Sequence, residues 1–214
     1  MRLPRLLQTP DDAEAVKVLQ RYYSVGPYRD SAPFTGARFD DWDSTHSRNC
    51  DTNRFTADDL VAVSLLSVDV PPAAAVELLD TGAAKFSRLL RELGSDRDLV
   101  EETQSWSDDW AGWRLWSELM VLPGVGATTA SKLLARKRPR LRPIYDSVVA
   151  TVIDSQDIWE PLRTLLNEQN DLHQRLLHLK EQSGLSDAVS ALRVFDVLAW
   201  MEGKGATSGR TNNG

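Results

Sequence analysis

Apolar positions recur at three- and four-residue spacing through most of the chain, and each such stretch opens on a helix start signal. Thr9-Pro10-Asp11-Asp12 places a cap, a first-turn proline and a capping-box acid ahead of an apolar pattern that runs to Tyr22 and Tyr23. Thr56-Ala-Asp-Asp59 repeats that logic before Leu60-Val-Ala-Val-Ser-Leu-Leu66. Pro71 and Pro72 open a helix through Leu79, and Thr81 caps another that stops near Gly94. Further helices are predicted from about Asp108 to Leu119, Thr128 to Lys137, from Asp146, Asp157 to about Ser183, and Ser186 to Met201, with Gly184 as the stop between the last two. No strand alternation or internal repeat interrupts the pattern. It predicts an all-α fold, a helical bundle forming a single domain over residues 1–202.

Two stretches depart from helical spacing. Ser24 to Phe55 carries Gly26, Pro27, Pro33 and Gly36, and reads as a long ordered loop or a short hairpin whose role is open. The tail 203–214 is rich in Gly, Ser, Thr and Asn, and is expected to be disordered. Within the predicted helix 157–183, Leu162, Leu165, Leu166, Leu172, Leu176 and Leu179 share a face. That face serves either as core or as a surface for a protein partner.

Between the helices ending at Leu119 and beginning at Thr128 lies Leu122-Pro-Gly-Val-Gly126. Gly124 and Gly126 permit positive φ and let another backbone come close. Amides opening the next helix then point outward and suit a phosphate, aided by the partial positive charge at a helix start. Thr128 and Thr129 add hydroxyl donors, and Lys132 lies on the first turns of that helix. Leu122, Val125, Ala130, Leu133 and Leu134 are the expected contacts between the two helices. The element is a helix-hairpin-helix at about 115–137, and it is not a Walker A loop.

Charge sharpens this picture. The chain is acidic, at −6, yet Met120 to Arg142 holds six cations (Lys132, Arg136, Lys137, Arg138, Arg140 and Arg142) and no acid. Read as surface, the run makes a phosphate track for DNA on an otherwise acidic body; read blandly, it is a solvated basic loop.

The segment Leu122-Pro-Gly-Val-Gly-Ala-Thr-Thr-Ala130, followed by Pro143-Ile-Tyr-Asp146-Ser-Val-Val149, resembles the signature of the helix-hairpin-helix DNA glycosylase superfamily. The resemblance implies a glycosylase-like fold and DNA as partner, with Asp146 as the catalytic carboxylate and Tyr145 lining a base pocket. Thr128 stands where bifunctional members carry the attacking lysine, so the implied activity is monofunctional: hydrolysis of the N-glycosidic bond without strand cleavage. The four-cysteine cluster of many members is missing. The likeness covers Leu122 to Val149. The chain also resembles a family of uncharacterised, mainly actinobacterial proteins, which implies no activity. Asp146 equally suits the cap of the helix that follows it.

Other chemistry is thin. The aspartates Asp40, Asp41, Asp43 and Asp51 do not follow calcium-loop spacing, and His46, His173 and His178 are scattered. A single cysteine, Cys50, excludes an internal disulfide and a cysteine-based metal site. No metal or cofactor is expected. Trp106, Trp110, Trp113 and Trp116 trace one helix face, read mainly as core, while Phe34, Arg38, Phe39 and Trp42 are placed for a pocket or wedge. No apolar run approaches the roughly 20 residues of a membrane span, and the amino end lacks a signal peptide's apolar stretch, so a cytoplasmic location is expected. Three functions follow: a DNA-backbone binder connected with repair, a glycosylase using Asp146, or a non-catalytic interaction scaffold.

Overall fold

The computed structural model describes residues 1–32, 34–104, 107, 109–168 and 170–205. Among them the protein is all-helical, with ten α-helices joined by turns and short 3-10 segments. The chain forms two compact units, one from Met1–Phe34 and Tyr145–Gly214, the other from the continuous stretch Thr35–Ile144.

The terminal unit is built from α1 (Ala13–Tyr23), α7 (Ser147–Ile153), α8 (Trp159–Glu168), α9 (Asn170–Gln182) and α10 (Ala191–Gly203). Helix α10 is its axis, buried along almost all of its length and packed against α1, α7 and α9. Ser190 caps α10 by accepting from the Arg193 amide at 3.1 Å. The amino-terminal segment is tied down by two arginines. Arg2 donates to the Val152 carbonyl at 2.7 and 3.1 Å, and Arg175 reaches Asp12 and the Leu7 carbonyl, each at 2.9 Å.

The predicted helix 157–183 is described as α8 and α9, on either side of residue 169. Of its leucines, Leu162, Leu166, Leu172, Leu176 and Leu179 are buried as core of their own unit, and Leu165 is half-buried, which follows the core reading of the stripe and gives no support to a partner surface. A helical apolar stripe reads identically in sequence whether a neighbour in the same chain or another molecule covers it.

The central unit holds α2 (Ala57–Ser64), α3 (Pro72–Val76), α4 (Ala83–Leu93), α5 (Ala111–Met120) and α6 (Ala127–Lys137). A single π-type turn, Glu77–Thr81, links α3 toward α4. The predicted capping box forms: Thr56 accepts from the Asp59 amide, and the Asp59 carboxylate accepts from the Thr56 amide at 2.9 Å. Ala62 and Val63, Phe86 and Leu90, Leu115 and Leu119, and Ala130, Leu133 and Leu134 close the core between α2, α4, α5 and α6. The stretch after Ser24 is irregular as expected and carries only short 3-10 turns, with no strand among the described residues. The tail from residue 206 and Trp106 lie outside the described residues. Trp110 is buried, and Trp113 lies more than a third exposed.

Candidate nucleic-acid interface

Helices α5 and α6 pack against each other across the turn 121–126. Val121 and Leu122 finish α5 by donating to the carbonyls of Ser117 and Leu119, and Val125 folds back on Leu122 O at 3.0 Å. Leu122, Val125, Ala130, Leu133 and Leu134 are buried, as their spacing predicts, and this apolar clamp fixes the turn's exit angle. What remains outside is the turn's tip, where Val121 is 78% exposed and Pro123, Gly124 and Gly126 are also exposed.

The two glycines differ physically. Gly124 has φ +75°, the left-handed region that favours glycine, and a Cβ there would sit 2.8 Å from Pro71 Cγ. Gly126 has φ −94° and ψ 177°, an extended conformation open to any residue, and a Cβ there would meet nothing within 4 Å. Positive φ, which both glycines permit, is therefore taken up by Gly124 alone. Gly126 is the N-cap of α6, and no side chain caps that helix start. The first amides of α6 have no intrahelical acceptor by geometry, so this end presents main-chain donors beside an uncluttered surface.

The side chains predicted to line a phosphate path lie elsewhere. Thr128 is half-buried, and its carbonyl accepts from Ser131 Oγ at 2.9 Å; Thr129 is buried. Lys132 is buried and donates through Nζ to the Leu66 carbonyl at 2.8 Å. Arg136 reaches Asp59 at 3.2 Å, the Phe39 carbonyl at 2.6 Å and the Trp42 carbonyl. Lys137 reaches Asp59 at 2.9 Å and the Asp51 carbonyl at 2.8 Å. Arg138 holds the carbonyls of Gly94, Leu90 and Thr52 and the Asn53 side chain at 2.6–2.8 Å. Arg142 is buried with its guanidinium 4.7 Å from the Trp110 ring centroid. Only Arg140 reaches the surface, and it makes a two-pronged ion pair with Asp98.

The phosphate track is thus corrected for Lys132, Arg136, Lys137 and Arg138, which are buried and bond within the central unit, while Arg140 stays exposed and paired with Asp98. Burial draws Lys137 and Arg138 below their ordinary pKa values, with Asp59 opposing the shift at Lys137 and Asp96 at Arg138. Reading charge along the sequence cannot match these cations to their backbone carbonyls, because those acceptors lie 44 to 97 residues away.

Two adjacent acids do the complementary work. Asp59 receives Arg136 and Lys137 while closing the α2 cap. Asp58 accepts from Ser44 Oγ (2.6 Å), Thr45 Oγ1 (2.8 Å), the Thr45 amide and Trp42 Nε1 (both 3.0 Å). Those donors, the Ser44 hydroxyl foremost, hold the Asp58 carboxyl down at about 2 against the opposing effect of burial. Phe39 is buried beneath Arg136, and Arg38 pairs with Asp41 beside Trp42, so neither forms a free wedge. Among the described residues no group of three or more His, Cys, Asp or Glu is placed to hold a metal ion.

Asp146 belongs to the terminal unit, as does Tyr145; both are half-buried. Asp146 is the N-cap of α7, and its Oδ1 accepts from the Val148 amide at 2.9 Å. No described helix is long and apolar enough to cross a membrane.

An all-helical protein of two compact units, with an exposed glycine turn on one and an aspartate-capped helix on the other, is the class these features define. The chain belongs to a family of unknown function (DUF6308), which matches residues 15–203. No curated protein and no solved structure matches it significantly.

Proposed function

We propose that the protein binds a nucleic-acid backbone through the tip of the 121–126 turn and the amino end of α6, in a helix-hairpin-helix arrangement. The observation that carries this reading is the pairing of an exposed, left-handed Gly124 with an uncapped helix start at Gly126, whose surroundings are open. Main-chain amides at such an end receive one phosphate, and the exposed Val121 supplies an apolar contact beside it. With the cations of α6 turned inward, the contact is neutral and narrow. Gly126→Glu tests it: the site accepts a side chain without strain, and a carboxylate there repels phosphate. Binding to a labelled duplex is expected to fall about tenfold while circular dichroism is unchanged, by analogy with the cost of losing a charge-assisted contact. Equal affinity in the variant would rule out the turn as the contact.

A finer reading makes the chain a DNA glycosylase of the helix-hairpin-helix superfamily, on the likeness from Leu122 to Val149. Its support in the fold is that Asp146 stands half-buried at a helix opening, with a carboxylate that is not sunk in core. There it would stabilise a developing sugar cation and orient water as a flipped base departs. Asp146→Asn is the informative variant, since asparagine caps a helix nearly as well as aspartate. Wild type is expected to release bases from a panel of damaged duplexes, and the variant to lose at least a hundredfold in rate at unchanged stability. Release that survives in the variant would exclude Asp146 as the catalytic group.

A further inference from the structure

Among the described residues, nearly every lysine and arginine engages a carboxylate, a carbonyl or an aromatic ring. In the terminal unit the exposed Arg21 and Arg29 enter no ion pair or side-chain hydrogen bond, and Lys204 has only the ring of Trp200, 5.5 Å from its Nζ. Lys204 lies against one aromatic cluster through Trp200, and Arg21 and Arg29 belong to the same stretch of chain as its Tyr22 and Phe34. Tyr22 and Phe34 stack nearly parallel with centroids 5.2 Å apart, and Trp200 stands edge-on to both at 6.1 and 5.8 Å. Tyr23 meets Tyr22 edge-on at 5.0 Å. Arg21 precedes Tyr22 on α1, and Arg29 follows the short turn Gly26–Tyr28, which packs against the end of α1.

The platform is stiff from beneath. Arg193, buried on α10, donates to the Tyr22 hydroxyl at 2.8 Å, lies 5.4 Å from its ring centroid and pairs with Asp196. Tyr22 is therefore fixed, while Tyr23, Phe34 and Trp200 keep part of their surface outside. Asp30 is the only acid in the sequence from Arg21 to Phe34.

We propose that this surface binds single-stranded nucleic acid, with bases on the partly exposed rings and phosphates on Arg21, Arg29 and Lys204. Cations left unpaired on an acidic chain complement a polyanion, and ring faces beside them complement unstacked bases. Bases locked in a duplex cannot reach rings set at mixed angles, so a single strand fits and a duplex does not. Lys204 covers Trp200 by a cation–π contact; moving onto a phosphate, it uncovers that ring for a base. The site is independent of the 121–126 turn and stands or falls without it.

Full-length protein titrated into a fluorescein-labelled oligothymidylate at low salt tests the proposal by anisotropy. The exposed triple variant Arg21→Gln, Arg29→Gln, Lys204→Gln is expected to bind at least tenfold more weakly, with a log–log salt slope shallower by about two. An oligomer with abasic sites in place of its thymidines is expected to bind wild type at least tenfold more weakly, and unlabelled duplex to compete poorly. Gly126→Glu is expected to bind the oligothymidylate as wild type does. Unchanged affinity in the triple variant overturns the proposal. So does an abasic strand or a duplex that binds equally well, since phosphate alone would then suffice. Loss of oligothymidylate binding in Gly126→Glu overturns it too, by moving the site to the turn.

Discussion

Asp58 and Asp59 sit side by side on one turn of α2 yet answer to different partners. Asp58 collects neutral donors from Trp42, Ser44 and Thr45, whereas Asp59 collects the charges of Arg136 and Lys137. The Asp58 carboxyl lies at about 2, below its unfolded value of about 3.9. A depressed carboxylate stabilises the fold fully above the unfolded value, and that contribution is lost as pH falls through the folded one. Asp58→Asn is therefore expected to cost about 1–3 kcal/mol at pH 7 and clearly less at pH 2.5, measured by urea unfolding at both. An equal cost at the two pH values would mean that the charge of Asp58 does not hold the loop. Residue identity alone announces none of this. Thr56-Ala-Asp-Asp59 announces a helix start, and the structure bears that out, but the second use of Asp59 depends on what folding brings to it.

At the scale of elements, the carboxyl end of α6 and the loop before α2 form one assembly. Arg136 holds the Phe39 and Trp42 carbonyls, Lys137 the Asp51 carbonyl, and Arg138 the Thr52 carbonyl and the Asn53 side chain. A stretch with this little regular structure has few backbone hydrogen bonds of its own, so cations inside the unit satisfy its carbonyls instead. Asp59 makes burial of two of those cations tolerable. Asp59→Asn leaves both without their counter-charge, and a loss of about 3–5 kcal/mol is expected. Hydrogen exchange resolved along the chain should show amides from 39 to 54 losing protection together with the end of α6. Loss confined to α2 would mean that Asp59 acts only as a cap.

Helix starts, apolar faces and the turn between α5 and α6 were legible because each is set by neighbours within a few residues. Thr56 and Gly184 mark ends in the sequence where the fold has them, whereas the last helix, expected from Ser186, begins at Ala191 under Ser190. What the sequence hid was direction. Lys132, Arg136, Lys137 and Arg138 read as surface because free cations prefer water, and only long-range carbonyls and Asp59 reverse that preference. The leucines of α8 and α9 were read mainly as core and most are buried, although an apolar face does not by itself name what covers it. The aromatic cluster of Tyr22, Phe34 and Trp200 joins residues from both ends of the chain, beyond the reach of any local pattern.

For the whole molecule, turning the basic run inward changes how it meets an anion. The interior described holds Lys132, Arg136, Lys137, Arg138, Arg142 and Arg193 together with Asp40, Asp58, Asp59, Glu102 and Asp196, so the two signs nearly cancel there and the surface keeps the acidic balance of the chain without those cations of the basic run. Had the six cations between Met120 and Arg142 lined a duplex, the affinity would fall with a log–log salt slope of about −5. A contact made by main-chain amides at the 121–126 turn releases few counterions, and a slope no steeper than about −1 is expected for duplex DNA. Repulsion from the acidic surface opposes that contact at low salt, which flattens the slope further because added salt screens it. Titrations of a labelled duplex from 25 to about 200 mM salt distinguish the two arrangements. A slope near −5 would require the α6 cations to reach the phosphates, which they can do only by leaving Asp59 and the loop carbonyls. That in turn predicts that Asp59→Asn binds duplex more tightly than wild type. A shallow slope that Asp59→Asn leaves unchanged places the contact on the neutral turn.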